Sequence, residues 1–248
     1  MSKKNRAEDR AARAAAALEE RRRQEARRRN LMVGGVVIAL VVIVLAGFLI
    51  SRGLDDTTDV NADAASSSSQ YGVAIGPDDA PNKVVIYEDF LCPYCGELEK
   101  ASRDDLAQLA ADGKVQVEYR PFDLLGQGDP SSYSVRSAGA FSIVLDKSGS
   151  EIAKKFHDLL YENQPSESSS SFPTSSDLAD LAVQAGAKES DVRDAIEGDE
   201  GTDWVTKATK AAGSAGVQST PTILLNGKVF QDGTTVDDLA KNLIAELQ

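Results

Sequence analysis

Both cysteines of the 248-residue chain, Cys92 and Cys95, lie in the stretch "DFLCPYCGELEK", with only Pro93 and Tyr94 between them. A pair so spaced serves as half a metal site, as a structural disulfide, or in thiol–disulfide exchange. A zinc site takes four protein ligands, or three and a water, usually from Cys, His and carboxylate. The chain has a single histidine, His157 in "IAKKFHDLLYEN", so a structural zinc site would need a second chain. His157 reads as a surface or half-buried helix residue rather than a ligand or base, and neither metal nor cofactor is expected. A serine-hydrolase triad is equally short of parts, since no G-x-S-x-G occurs and His157 would be its sole base. A structural disulfide gains most by closing a long loop, and this one would close two residues.

Exchange chemistry suits the pair better. Cys92 directly precedes a predicted helix, where free backbone N–H groups and the helix dipole stabilise a thiolate. Pro93 fits the first helical position, because its missing N–H has no partner to lose. Placement there lowers a cysteine pKa from ~8.5 into the range ~3.5–7.5. Cys92 is therefore the expected attacking and leaving sulfur. Cys95, one turn on, is the expected less exposed resolving thiol that releases a mixed disulfide.

The elements that must hold this pair can be read around it. "KVVIYEDF" (83–90) is a β-branched and aromatic run, predicted as a strand. The helix after it carries an apolar stripe at Leu98, Leu106 and Leu109, with Gly113 as its stop. "KVQVEYRPF" (114–122) alternates as a second strand. Helical periods then occupy 133–147, 150–163, 176–186, 189–197 and 202–213, interrupted by a serine-rich loop at 165–176. "TPTILLNGKVF" (220–230) reads as a hairpin turning at Asn226-Gly227. An amphipathic helix with Leu239, Leu243 and Leu247 at four-residue spacing closes the chain.

Upstream, residues 31–50 form an uncharged apolar run of 20 positions. At ~1.5 Å per residue it spans a hydrocarbon core of ~30 Å, so it is expected to be an uncleaved transmembrane helix. Residues 1–30 hold 11 Lys/Arg and 5 Asp/Glu, whereas residues 51–248 hold 16 and 34. The positive-inside rule then predicts a basic cytoplasmic tail (1–30) and an extracytoplasmic remainder. The tail, Ala-rich and without aromatics, suits topogenesis and contact with anionic lipid, and the acidic outer part argues against nucleic-acid binding. Residues 51–70 are small and polar, a predicted flexible linker. Residues 71–248 suffice for one domain with its own core.

The stretch "GVAIGPDDAPNKVVIYEDFLCPYC", together with the distant "GVQSTPTILLNGKVF", resembles the DsbA-like branch of the thioredoxin superfamily, over residues 72–248. The resemblance implies an α/β thioredoxin-like core whose first helix opens on Cys92-Pro93-Tyr94-Cys95, with a helical domain inserted at about 124–213. It also implies a cis-proline loop at Thr220 and Pro221, which presents the backbone of residue 220 to a substrate peptide. One departure is that thioredoxin-like proteins often carry a buried acid six residues before the first cysteine, where this chain has Ile86. Glu88, two residues on and on the same strand face, could accept the proton of Cys95 instead, while Asp89 would point the other way. For both, the preferred reading is a solvated strand-end charge.

The expected function is a membrane-anchored thiol:disulfide oxidoreductase that introduces disulfides into exported proteins. By resemblance it would be reoxidised by a membrane partner of the DsbB or vitamin K epoxide reductase type. A reductase or isomerase with the same residues, or a peptide-binding module without redox turnover, are the alternatives. The direction of electron flow is not encoded legibly, since ~30 mV of potential is only ~1.4 kcal/mol.

Overall fold

The computed structural model describes Val60 and residues 70–248, all within the compact unit Thr58–Gln248. The predicted tail, the predicted span 31–50 and nearly all of the predicted linker lie outside the described residues. Among the described residues, no helix is long and apolar enough to cross a membrane.

Five strands make one mixed sheet: β1 (Val73–Ile75), β2 (Asn82–Glu88), β3 (Val115–Pro121), β4 (Thr222–Leu225) and β5 (Lys228–Val229), in spatial order β1-β3-β2-β4-β5. The parallel pair β2 and β3 is joined by helix α1 (Pro93–Ala111), as a parallel pair requires a crossover. Strand β4 runs antiparallel to β2, setting Ile86 opposite Ile223, and β1 runs antiparallel to β3. Between β3 and β4 lie four helices, α2 (Tyr133–Glu162), α3 (Ser175–Ala185), α4 (Glu189–Glu197) and α5 (Thr202–Ser214), and α6 (Val236–Leu247) ends the chain.

The period of two along the strands divides the core. Val84, Ile86, Val117 and Tyr119 face α1, α2 and α6, where Leu98, Leu106, Phe156, Leu160 and Leu243 meet them, all essentially inaccessible. Val85, Tyr87 and Leu224 face the opposite way, onto Ala208 and Ala212 of α5. On that second face Arg120 donates two hydrogen bonds to the Glu118 carboxylate and one to the Tyr87 hydroxyl, so the buried guanidinium is paired.

Local signals account for several boundaries. The helical periods 133–147 and 150–163 are two segments of α2 that meet in a kink at Gly149, whose backbone is non-helical, with a φ of 80° that other residues rarely adopt. Thr174 and Asp177 cap α3 reciprocally. Asn226 and Gly227 both have positive φ and turn the chain between β4 and β5. Strand β1, only three residues long, was not foreseen, because so short a run shows no alternation.

Candidate active site

Helix α1 begins one residue after Cys92, which has extended backbone geometry at the N-cap, and Pro93 occupies the first turn. The Cys92 carbonyl accepts from the N–H groups of Cys95 and Gly96 and from the side-chain amide of Gln164, at 2.9 Å. Gln164 also donates to the Phe90 carbonyl at 3.0 Å, so the chain just beyond α2 clamps the turn that carries the cysteines. A β-carbon at position 96 would collide with the Gln164 side-chain oxygen, so the Gln164 side chain would have to swing away. Replacing Gly96 by Ala is expected to break the clamp and lower stability by about 1–3 kcal/mol. Thermal unfolding of the single and double variants with Gln164→Ala checks this, because two changes that break one clamp add less than their sum.

Both sulfurs are free thiols and both are buried, Cys92 at 4% and Cys95 at 1% exposure. Accessible area therefore separates them little. Electrostatics separates them strongly. The Cys95 thiol beside it, outweighing the cost of burial, lowers the Cys92 pKa to about 6, with smaller help from the neighbouring Thr220 side chain and the backbone N–H groups of Cys95 and Tyr94. Burial, then the hydrogen bond to Cys92 and the negative charges of Cys92 and Glu88, push Cys95 well above the ordinary thiol range.

The linkage sign follows from those values. Cys92 is depressed from 9.0 to about 6, so its contribution to the reduced fold is complete above pH 9 and is lost as pH falls through about 6. Thiolate absorbance of the reduced protein is accordingly expected to titrate with a midpoint near pH 6. Thr220→Val, which removes the buried hydroxyl nearest the thiolate, is expected to raise that midpoint.

The distant loop closes over this turn. The Thr220–Pro221 peptide is cis, and the Cys92 sulfur lies 3.5 Å from the Thr220 carbonyl oxygen. The structure thus brings Thr220 and Pro221 to Cys92 across 128 residues of sequence. Tyr94, between the two cysteines, stands out into solvent at 60% exposure.

Three acids and the histidine depart from the sequence reading. Glu88 is 1% exposed and Asp89 is 0% exposed, so neither is a solvated strand-end charge. Glu88 continues the inward face of β2, and its Oε1 lies 2.5 Å from Nε2 of His157. His157 is completely buried, not a surface residue, and its ring is enclosed by Phe90, Tyr119, Phe141 and Tyr161 at centroid distances of 4.7–6.4 Å. Asp89 accepts from the N–H groups of Leu91, Leu124 and Leu125 and from the Ser134 hydroxyl, joining the cysteine turn to the segment after β3 and to α2. Glu99 was missed altogether. It lies one turn below Cys95 on the buried face of α1, 4.0 Å from the His157 Nδ1, with both carboxylate oxygens buried and without a hydrogen-bond partner. The signal was available: Glu99 interrupts the buried stripe Cys95, Leu98, Ser102, Leu106 at helical spacing.

Glu88, Glu99 and His157 offer one donor atom each, all within 4.8 Å of one another. Glu88 and His157 already satisfy each other by a hydrogen bond, so the group reads as an acid–imidazole pair with a second carboxylate beside it rather than a ligand set.

The fold and this cysteine turn define the class. The family model described as Thioredoxin matches residues 68–245, and the chain belongs to that family. Among solved structures it is similar to the reduced disulfide bond oxidoreductase DsbG of Mycobacterium tuberculosis, at 28% identity and a TM-score of 0.63, covering 75% of this chain and 90% of that one. It is likewise similar to reduced DsbA of the same organism, at 28% identity and a TM-score of 0.60, covering 71% and 90%. Disulfide bond formation protein D of Bacillus subtilis is 26% identical over 177 residues, 70% of this chain and 76% of the relative. A second kind of relative is the serine/threonine-protein kinase PknE of M. tuberculosis, 29% identical over 120 residues, of which the match spans only 21%.

Proposed function

We propose that the protein is a thiol:disulfide oxidoreductase that donates its Cys92–Cys95 disulfide to the thiols of exported proteins. The observation that carries this reading is the opposed electrostatics of the two sulfurs, with Cys92 near pKa 6 and Cys95 well above the ordinary range. A substrate thiolate attacks the Cys92 sulfur, the Cys92–Cys95 bond breaks, and Cys95 leaves and takes a proton. A second substrate thiolate then attacks the substrate sulfur of the mixed disulfide. Cys92 departs as a stabilised thiolate, and the substrate leaves with one disulfide. A thiolate stabilised at neutral pH favours the reduced enzyme over its disulfide, which poises the pair as an oxidant. Relatives with names of this kind, a disulfide bond oxidoreductase and a disulfide bond formation protein, support the same chemistry.

The apolar run 31–50 and the basic residues before it support a single-pass anchor, with the tail in the cytoplasm and the domain outside. A membrane partner of the DsbB or vitamin K epoxide reductase type would restore the disulfide. Mixing the oxidised full-length protein with a reduced, unfolded substrate protein tests the activity: the substrate should gain disulfides in step with loss of the enzyme's own. An alkaline wash of membranes tests the anchor, since an integral span stays in the pellet and a cleaved leader releases the domain.

A further inference from the structure

We infer that His157 is a positioning residue for the proton transfer at Cys95: its buried imidazole holds Glu88 as the base that takes the Cys95 proton, in preference to Glu99. The inference rests on the oxidoreductase reading and deepens it. Both ring nitrogens are engaged, Nε2 with Glu88 at 2.5 Å and Nδ1 with Asp158 at 3.2 Å. Asp158 also pairs with Lys154, and its side chain is 27% exposed on a surface cavity of about 430 Å³ that Arg103 and Asp104 also line. The ring therefore bridges a carboxylate at the cysteine turn and one at the surface, inside an aromatic cage from which water is excluded.

The charged and titratable groups around this pair come from every packed element. Strand β2 supplies Glu88, α1 supplies Cys95, Glu99 and Arg103, β3 supplies Tyr119, and α2 supplies Lys154, Asp158 and Tyr161. Burial alone pushes His157 down, but Glu88, the hydrogen bonds to Asp158 and Glu88, and Glu99 override it and raise the imidazole to about 9. Burial pushes Glu99 up to about 7, against the pull of His157. Of the two carboxylates, only Glu88 is hydrogen-bonded to the imidazolium, while Glu99 has no hydrogen-bond partner.

The step that uses this base is the resolution of a mixed disulfide. Cys95 gives its proton to Glu88 and attacks the Cys92 sulfur, the Cys92–Cys95 bond forms, the bond to the bound thiol breaks, and that thiol leaves as a thiolate. Removing the imidazolium leaves two buried carboxylates without the cation that Glu88 is hydrogen-bonded to.

The test reacts the reduced full-length protein with oxidised glutathione and follows both glutathione releases across pH. The first release reports attack by Cys92, and the second reports resolution by Cys95. His157→Gln is expected to slow the second release about tenfold or more near neutral pH and to move its acid limb upward by about one unit. Glu88→Gln should slow it comparably, and the double variant should be no slower than Glu88→Gln alone. Circular dichroism identifies variants that have lost the fold. Should His157→Gln prove unfolded, His157→Asn and the Glu88→Gln profile carry the test. A second release with the wild-type pH profile in the His157 variants, or one indifferent to Glu88→Gln, overturns the inference. Absence of any glutathione release from the wild-type protein instead overturns the oxidoreductase reading beneath it.

Discussion

Cys95→Ser is expected to leave a covalent enzyme–substrate complex, and Cys92→Ser is expected to abolish exchange entirely. The two outcomes differ because the sulfurs differ. Cys92, near pKa 6, is largely thiolate at neutral pH and attacks a disulfide without help. Cys95, raised by burial and by the charge of Cys92, stays a thiol, and in the proposed reaction it is the group that expels the substrate. Removing it stops the reaction after the first bond is made. Removing Cys92 leaves no sulfur at the helix start, and turnover should fall to the uncatalysed background. Non-reducing electrophoresis with a disulfide-containing peptide reads both results. A module that only binds peptides beside Pro221 would form no covalent complex with Cys95→Ser and would keep its activity in Cys92→Ser.

The second large effect is on folding. Asp89→Ala is expected to destabilise the domain by about 3–5 kcal/mol, because it strands four donors that one buried carboxylate now satisfies. The N–H groups of Leu91, Leu124 and Leu125 and the Ser134 hydroxyl would all lose an acceptor inside the protein. Against a total stability of ~5–15 kcal/mol, that loss removes much of the margin. Asp89→Asn keeps one acceptor oxygen and turns a donor toward the other N–H groups, so it should fall between the two. Chemical denaturation of the three proteins, followed by circular dichroism, gives the order. A loss below about 1 kcal/mol for the alanine variant would mean that other groups or water replace the carboxylate.

The same residue shows where reading the sequence stops. The cysteine pair, the proline at the helix start, the break near Gly149 and the Asn226-Gly227 turn are local, and each is set by residues within a few positions of it. The meeting of Thr220 and Pro221 with Cys92 spans 128 residues and was expected only through resemblance. The polar core was not legible. Asp89 and Glu88 end a strand, where a charge ordinarily meets water, and nothing nearby in sequence reveals that residues 124 and 125, Ser134 and His157 cover them. His157 lies among Ala153, Phe156 and Leu160 on the buried face of α2, but a lone histidine on a helix ordinarily meets water, and its partner Glu88 is 69 residues away. Glu99 is hidden in the same way, since a charged residue on a helix ordinarily faces solvent and only the packed His157 marks it as buried.

The measurement that tests the account most directly is the reduction potential of the Cys92–Cys95 pair in the full-length protein, equilibrated against glutathione. Stabilisation of the Cys92 thiolate predicts a value displaced from ~−270 mV toward ~−120 mV, on the side where the pair donates its disulfide. A value near ~−270 mV would contradict the account, because a pair so reducing would accept disulfides from exported proteins rather than donate its own.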